Sequence, residues 1–126
     1  MEYSGLETSK LQGNVKRLEL QLKTEFPELN NLILTLRQSG DIYVSSIRVK
    51  PKHRGKGIGS KVIKKILDFA DKNNKYVTLV AVAQPGYEKK LTKLYKTLGF
   101  IPNKRKRMMP QFSHKYHTMM IRKPKS

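Results

Sequence analysis

Residues 49–59 read VKPKHRGKGIG and place three glycines between an apolar segment and a segment with helical periodicity. The first N–H groups of a helix have no partners within the helix and carry the positive end of its dipole. A phosphate binds readily at such a point. Gly55, Gly57 and Gly59 let the backbone approach a phosphate without a Cβ in the way. The segment therefore indicates an anion site at the start of a helix.

Two nucleotide-binding motifs also place glycines between a strand and a helix. A Rossmann dinucleotide site requires G-x-G-x-x-G and a carboxylate at the end of the next strand. Here the spacing is G-x-G-x-G, and the next predicted strand ends in Ala83-Gln84. A Walker A loop requires G-x-x-x-x-G-K-[ST], which residues 55–61 do not supply. On spacing alone, a turn that binds no ligand stays open.

The segments on either side of the turn predict a βαβ unit. Ile42–Val49 reads as a strand, and Tyr76–Ala83 is apolar on both faces, which fits a strand inside a covered sheet. Between them, five apolar residues recur at helical spacing: Val62, Ile63, Ile66, Leu67 and Ala70. Because strand, helix and strand follow in this order, the two strands should run parallel.

The other segments predict a mixed, mainly antiparallel sheet flanked by helices. Asn31–Arg37 should pair with Ile42–Val49 as a hairpin, because residues 38–41 supply turn chemistry. The remaining predicted elements are a helix with the stripe Leu11, Val15, Leu18 and Leu22 that ends near Pro27, a helix over Glu88–Leu98 capped by Gly99, and a strand over Tyr116–Arg122. A chain of 126 residues is long enough for one domain, so the sequence predicts a single α/β domain over residues 1–126.

Composition limits the classes of function. The chain has no cysteine, which excludes disulfides, thiolate metal sites and cysteine nucleophiles. The longest apolar stretch is far shorter than the roughly 20 residues that span a bilayer, and the N-terminus lacks the features of a secretory signal. We therefore expect a cytoplasmic protein that does not enter a membrane.

The charge is unevenly distributed along the chain. Lysine and arginine total 27 against 9 acidic residues, which gives a net charge of +18. Residues 1–40 hold five of each sign, so the entire excess lies from Asp41 onward. Such a field concentrates nucleotides, nucleic acid or acidic protein surfaces. A lysine-rich surface that only improves solubility is the alternative.

Two motifs together resemble the GCN5-related N-acetyltransferase (GNAT) superfamily. Its first signature has the core [QR]-x-x-G-x-[GA], and Arg54, Gly57 and Gly59 occupy the fixed positions. Residues 94–100, LYKTLGF, resemble the second signature, a helix that ends in L-Y-x-x-x-G-F. The resemblance covers roughly residues 42–100 and implies an N-terminal region shorter than that of the family.

The resemblance implies that acetyl-CoA is the cosubstrate and that no metal is required. Strand Ile42–Val49 should contain a bulge and diverge from strand Tyr76–Ala83. The acetyl-pantetheine arm would enter the gap and pair with backbone groups near Ile47, Arg48 and Val49. The pyrophosphate would lie on the amides of seven residues: Arg54, Gly55, Lys56, Gly57, Ile58, Gly59 and Ser60.

Tyr95 matches the family tyrosine that protonates the departing CoA thiolate. A phenol with a pKa near 10 can donate to a thiolate, although an aromatic that only packs a helix is the alternative. The general base stays unassigned, because the strand Ile42–Val49 has no glutamate where many family members have one. Water-relayed deprotonation by Asp41 or Glu88, or an acceptor amine of low pKa, would fill that role.

The acceptor is expected to be a primary amine on an acidic or nucleic-acid-associated molecule, such as aminoacyl-tRNA, a base amine, a protein lysine or a protein N-terminus. Four consecutive cations, Lys104, Arg105, Lys106 and Arg107, are the acceptor-side candidates, because this connection borders the acceptor groove in the resembled fold. A non-catalytic module that binds CoA or nucleic acid is the alternative function. His114 and His117 lack companion ligands, so we expect no metal site there.

Overall fold

The computed structural model describes residues 2–82, 88–102 and 117–125. They form three helices, five strands and one turn of 3-10 helix. In chain order these are α1 (Glu2–Glu25), β1 (Leu29–Leu36), β2 (Ile42–Val49), the 3-10 turn (Pro51–His53), α2 (Ile58–Lys72), β3 (Val77–Val82), α3 (Glu88–Thr97), β4 (Ile101–Pro102) and β5 (His117–Arg122).

The five strands form one sheet in the order β1-β2-β3-β5-β4. Strands β2 and β3 are parallel, and the pairs β1–β2, β3–β5 and β4–β5 are antiparallel. This confirms the mixed, mainly antiparallel sheet, the hairpin and the crossover through α2. Because β2 and β3 are parallel neighbours, their carboxyl ends lie at the same edge of the sheet. We call this edge the upper edge.

One face of the sheet forms the hydrophobic core. The residues Leu32, Leu34 and Leu36 alternate with more exposed ones along β1. Their partners on β2 and β3 are also buried, except Ile47 opposite Leu32, which is partly buried. Helices α1 and α2 contribute Val15, Leu22 and the predicted apolar stripe of α2. An ion pair of 2.8 Å between Lys65 and Glu25 joins these helices outside the core.

Element boundaries differ from the predicted ones by up to two residues, except at the start of α1. That helix ends at Glu25, before Pro27, but extends back to Glu2, well beyond the apolar stripe that predicted it. Strand β1 begins at Leu29 rather than Asn31, because the backbone of Glu28 and Leu29 already pairs with the end of β2. Ala83 and Tyr116, predicted as strand ends, lie outside the described residues.

Candidate functional site

Strands β2 and β3 separate halfway along their length. Their pairing runs from Ile42–Val77 to Val44–Leu79 and ends there, although β2 continues to Val49 and β3 to Val82. Ser45 is an additional residue in β2, because Ile33 of β1 pairs with Ser46 while Leu34 pairs with Val44. A bulge bends its strand and increases the local twist. The expected bulge and divergence are therefore confirmed, and the β3-facing backbone edge of Ser45–Val49 has no partner strand among the described residues.

Helix α1 holds the sheet at the level of this bulge. The backbone N–H of Leu34 donates to Glu19 Oε1 at 2.8 Å, and Lys16 donates from Nζ to the Leu34 carbonyl oxygen. Burial raises the pKa of Glu19, but the hydrogen bonds from Leu34 and Lys16 outweigh burial and hold that pKa below its usual range. Charged side chains of α1, rather than a further strand, thus pair with the outward-facing backbone groups of Leu34.

The glycine-rich turn begins where β2 ends, at the upper edge. Gly55 has φ 78° and Gly57 has φ 80°, a region that residues with a Cβ rarely adopt. Gly57 is the N-cap of α2 and offers no side-chain cap to the first turn of the helix. Arg54 closes the turn by donating from Nε to the carbonyl oxygen of Val49 at 3.0 Å. The glycines at 55 and 57 are therefore required by the backbone of the turn.

The first turn of α2 is available to an anion. Residues 54–57 are exposed and residues 58–60 are partly exposed. A Cβ added at Gly59 would lie 3.9 Å from Val49 Cγ2, and one added at Gly57 would meet nothing within 4 Å. The uncapped N–H groups carry the positive end of the helix dipole, so a phosphate approaching from solvent would meet bare amides.

The three predicted residues at the end of β2 differ in orientation. Ile47 and Val49 are partly buried and pack against the core, whereas Arg48 between them is exposed on the other face. Arg48 makes no ion pair with any described residue. The unpaired backbone edge is accordingly bordered by apolar side chains on one face and by a cation on the other.

Tyr95 lies on the buried side of α3. Its side chain is only 9% exposed, and its ring meets the Phe100 ring edge-on at 5.6 Å between centroids. Burial raises the pKa of the Tyr95 hydroxyl above 10.0, so the group stays protonated at neutral pH. Side chains on a helix tilt towards its N-terminus, and α3 begins beyond the carboxyl end of β3. From this general tilt we expect the phenol to point towards the upper edge.

Asp41, one of the two carboxylates expected as a base, lies at the wrong end of β2. It precedes Ile42, eight residues from the glycine-rich turn, which is roughly 26 Å along a strand. Its carboxylate accepts hydrogen bonds from Arg37, Ser39 and Thr78. Burial raises the pKa of Asp41, but these donors outweigh burial and hold it below its usual value. The carboxylate of Asp41 therefore lies at the edge opposite the upper edge, which we call the lower edge. Because three donors already bind it and its pKa is low, it is a weak base with a structural role.

Two of the cavities that border the described residues bear on the site. The larger of these two, about 510 Å³, lies beside Arg37, Asp41 and Thr78 and extends to Met119 of β5, which pairs with Val80 just beyond the point where β2 and β3 diverge. The smaller, about 330 Å³, lies along α3 and is lined by Lys89, Thr92, Lys93 and Lys96. These three lysines are exposed and make no ion pair with any described residue. The smaller cavity therefore presents a cationic surface on the helix that carries Tyr95.

Several predicted residues fall outside the described part of the chain. Lys104, Arg105, Lys106, Arg107 and His114 do so entirely, and the same holds for the side chains of Glu88 and His117. Among residues 2–82, 88–102 and 117–125, no group of three or more histidine or carboxylate side chains could hold a metal ion. No helix in these ranges is long and apolar enough to cross a bilayer.

The ends of the 103–116 connection can nevertheless be placed. Pro102, the last residue of β4, pairs with Met120, and His117, the first residue of β5, pairs with Val82 at the carboxyl end of β3. The connection that contains residues 104–107 therefore leaves and rejoins the sheet on the side of the upper edge.

Sequence reasoning missed two polar groups that organise the site. One is the pair Glu19 and Lys16 at the bulge, and the other is Arg122, which is buried at the end of β5 against Asp71. A single arginine after the apolar run Met119–Ile121 was the available signal for the second. No sequence signal identified the first, because polar residues on α1 are also expected on its solvent face.

Part of the chain is similar to proteins of known family. Residues 25–100 match the model of the acetyltransferase (GNAT) family. A thialysine N-epsilon-acetyltransferase from Sus scrofa is 47% identical over 60 residues, which cover 47% of this chain and 34% of that protein. The chain thus aligns with about a third of the length of this relative.

Solved structures share the fold at low sequence identity. The ribosomal-protein-S18-alanine N-acetyltransferase from Escherichia coli has a TM-score of 0.57 at 17% identity and covers 75% of this chain and 61% of its own. A putative streptothricin acetyltransferase from Bacillus anthracis, solved in complex with acetyl coenzyme A, has a TM-score of 0.55 at 16% identity, with coverage of 75% and 54%.

Proposed function

Because this chain belongs to the acetyltransferase (GNAT) family, we propose that it transfers an acetyl group from acetyl-CoA to a primary amine. The observation that carries the proposal is the divergence of β2 from β3 after Val44, with a glycine-rich turn at the end of the freed strand. An extended acyl-pantetheine arm matches a strand edge with unpaired N–H and C=O groups. A pyrophosphate matches a helix N-terminus without a side-chain cap.

In this proposal the CoA arm pairs with the backbone of Ile47, Arg48 and Val49. The pyrophosphate lies on the amides of residues 54–60, where Gly55 and Gly57 already hold the positive φ that the turn requires. Arg54 contributes through its hydrogen bond to Val49, which joins the end of β2 to the turn. The two parts of the cosubstrate are thereby held by one continuous segment of chain.

The reaction depends more on orienting the amine against the thioester than on activating either reactant. The acceptor nitrogen attacks the thioester carbonyl, the C–S bond breaks, and the departing thiolate takes a proton from the Tyr95 hydroxyl, which then regains a proton from solvent. Burial keeps that hydroxyl protonated, and general acid catalysis of this kind contributes typically 10²–10⁴-fold. The amine loses its proton to solvent, which is easiest for an amine of low pKa. Holding amine and thioester together supplies much of the remaining acceleration.

We propose further that the acceptor is acidic or associated with nucleic acid. The support is the distribution of charge: 22 basic residues stand against four acidic ones from Asp41 onward. Lys89, Lys93 and Lys96 line a cavity on the helix of Tyr95, and residues 104–107 belong to a connection that rejoins the sheet at the upper edge. A polyanion bound along these groups would bring an amine to the thioester.

The names of the similar proteins support a primary amine as the acceptor. One names the ε-amine of thialysine and another the alanine of a ribosomal protein. For this chain, the candidate amines are the α-amino group of aminoacyl-tRNA, a base amine, a protein lysine and a protein N-terminus. An aminoacyl ester has an amine of low pKa, which agrees with the lack of an assigned base.

The test follows release of free CoA thiol from acetyl-CoA in the presence of four amines: thialysine, an N-terminal alanine peptide, a lysine peptide and aminoacyl-tRNA. Transfer is confirmed by the mass of the acetylated product. Thiol release with at least one amine is expected, and the fastest turnover should come from the acceptor on a polyanion. CoA binding without product from any amine would instead assign the chain to the non-catalytic modules.

A further inference from the structure

Arg122 is a buried cation at the end of β5, and it contacts the last turn of α2. Its side chain is 5% exposed, and its guanidinium donates to both oxygens of Asp71, at 2.7 Å from Nη1 and 3.1 Å from Nη2. These hydrogen bonds hold the pKa of Asp71 below the usual aspartate range. Planar, two-point pairing of this kind fixes orientation as well as distance. The pair therefore joins β5 rigidly to the carboxyl end of α2.

The same side chain also contacts the carboxyl end of α3. A Cβ added at Gly99 would lie 3.3 Å from Arg122 Nε and 3.7 Å from its Cγ and Cδ. Gly99 has φ 97°, so both the backbone conformation and the close approach of the arginine require glycine there. Arg122 Nε is buried and has no hydrogen-bond partner in the described chain. A buried donor left unpaired lowers stability.

The segment Leu98–Phe100, which contains Gly99, is hydrogen-bonded directly to Tyr95. The N–H groups of Leu98 and Phe100 both donate to the Tyr95 carbonyl oxygen at 3.0 Å. The Phe100 ring also packs edge-on against the Tyr95 ring. The turn that contacts Arg122 thus holds both the backbone and the ring of the tyrosine.

Arg122 accordingly lies at the carboxyl ends of two helices whose amino ends face the upper edge. Helix α2 starts at the glycine-rich turn and α3 starts beyond β3, so both run downward from that edge. A cation near two helix carboxyl ends is favoured by both dipoles. Because Asp71 belongs to α2 and Gly99 follows α3, one side chain sets the distance between the helices at their lower ends.

We propose that Arg122 is a positioning residue for the transfer reaction: it holds α3 at a fixed distance from α2 and thereby places the Tyr95 hydroxyl against a thioester bound at the start of α2. This inference rests on the proposed function, because it needs Tyr95 as the acid. In this proposal Arg122 contacts neither acetyl-CoA nor the amine.

The test is a double-mutant cycle with Tyr95→Phe and Arg122→Met, with turnover and CoA affinity measured separately. Tyr95→Phe should lower turnover roughly 10²–10⁴-fold. Arg122→Met should lower it about 10- to 100-fold, since a displacement near 1 Å costs up to about 10²-fold, with CoA affinity changed less than about twofold. In the Tyr95→Phe background, Arg122→Met should cost less than about threefold, because no acid is left to misplace.

Arg37→Met is the control, because Arg37 forms the other arginine–aspartate ion pair among the described residues and bonds to Asp41 and Thr78 at the opposite side of the sheet from Gly99. It should lower the melting temperature while leaving turnover unchanged at a temperature well below unfolding. If Arg122→Met does not fold, Asp71→Asn serves instead. It keeps the arginine beside Gly99 but removes the charge that orients it, and it should lower turnover in the same way.

The failures are distinguishable. Wild-type turnover in Tyr95→Phe would remove the acid from the proposed function, and the positioning role with it. A large effect of Tyr95→Phe with wild-type turnover in Arg122→Met, or in Asp71→Asn, would overturn only the role of Arg122. Losses that multiply in the double variant would do the same, because they would show that Arg122 does not act through Tyr95.

Discussion

Placing a carboxylate in the glycine-rich turn should weaken CoA binding without unfolding the protein. At Gly57 a new side chain meets no atom within 4 Å, and the only structural cost comes from φ 80°, about 1–2 kcal/mol for a residue with a Cβ. Gly40 in the β1–β2 turn has φ 90° and the same free space, but it lies at the lower edge. Gly57→Glu and Gly40→Glu should therefore lose similar stability.

The loss of affinity follows from the added charge. A carboxylate about 5 Å from a phosphate repels it by about 1 kcal/mol if water screens the pair fully and by about 3 kcal/mol at the effective dielectric near a protein surface. This corresponds to roughly 5- to 150-fold weaker binding. Gly57→Ala carries the same backbone strain without the charge, so the difference between the two variants isolates the electrostatic part.

Calorimetric titration with CoA at 0.1 M and 1 M salt measures both contributions. The difference between Gly57→Glu and Gly57→Ala should shrink at 1 M salt, where the Debye length falls from about 10 Å to about 3 Å. Gly40→Glu should bind as the wild type does. If Gly57→Glu and Gly40→Glu bound CoA equally well, the turn would not be the pyrophosphate site.

Three further predictions concern stability and the acceptor. Gly99→Ala should lower the free energy of unfolding by more than the roughly 1–2 kcal/mol that its positive φ explains, because the new Cβ would lie 3.3 Å from Arg122. Denaturant titration measures this loss. A loss equal to that of Gly40→Ala would show that the contact with Arg122 contributes nothing. Asp41 has a folded pKa below 3.8, so it stabilises the fold above that pH and loses this effect as the pH falls through the folded value. In Asp41→Asn the free energy of unfolding should therefore fall less steeply as the pH is lowered into the acid range. An unchanged pH dependence would contradict the hydrogen-bond network around Asp41. Replacing residues 104–107 with glutamine should reduce the salt slope of tRNA binding by about 3, at roughly 0.7–0.9 per phosphate contact; an unchanged slope would exclude this run from the interface.

Much of the fold could be predicted because its signals are local. The strand over residues 42–49, the glycine-rich turn and the stripe of α2 follow one another without a gap, so periodicity and handedness sufficed for the parallel pair. The position of Asp41 was also within reach of the sequence. An eight-residue strand separates it from the turn, so the sequence already places it at the opposite end of β2 from the predicted pyrophosphate site.

The groups that could not be predicted depend on long-range pairing. Asp71 and Arg122 are 51 residues apart and meet only because β5 inserts beside β3. The family resemblance implied a bulge in β2, but its position at Ser45 depends on the register against β1. Alternation alone would have allowed either serine to be the additional residue.

The support of Leu34 by α1 also bears on how the molecule behaves at high concentration. Within the described residues, β1 is the long outer strand of the sheet, whereas β4 at the opposite side spans two residues. A long outer strand is a template on which another chain can add, and this is a route to aggregation. Because Glu19 and Lys16 occupy the N–H and C=O of Leu34, an incoming strand cannot form a continuous ladder along β1. The charged residues beside the bulge thereby block strand addition at Leu34.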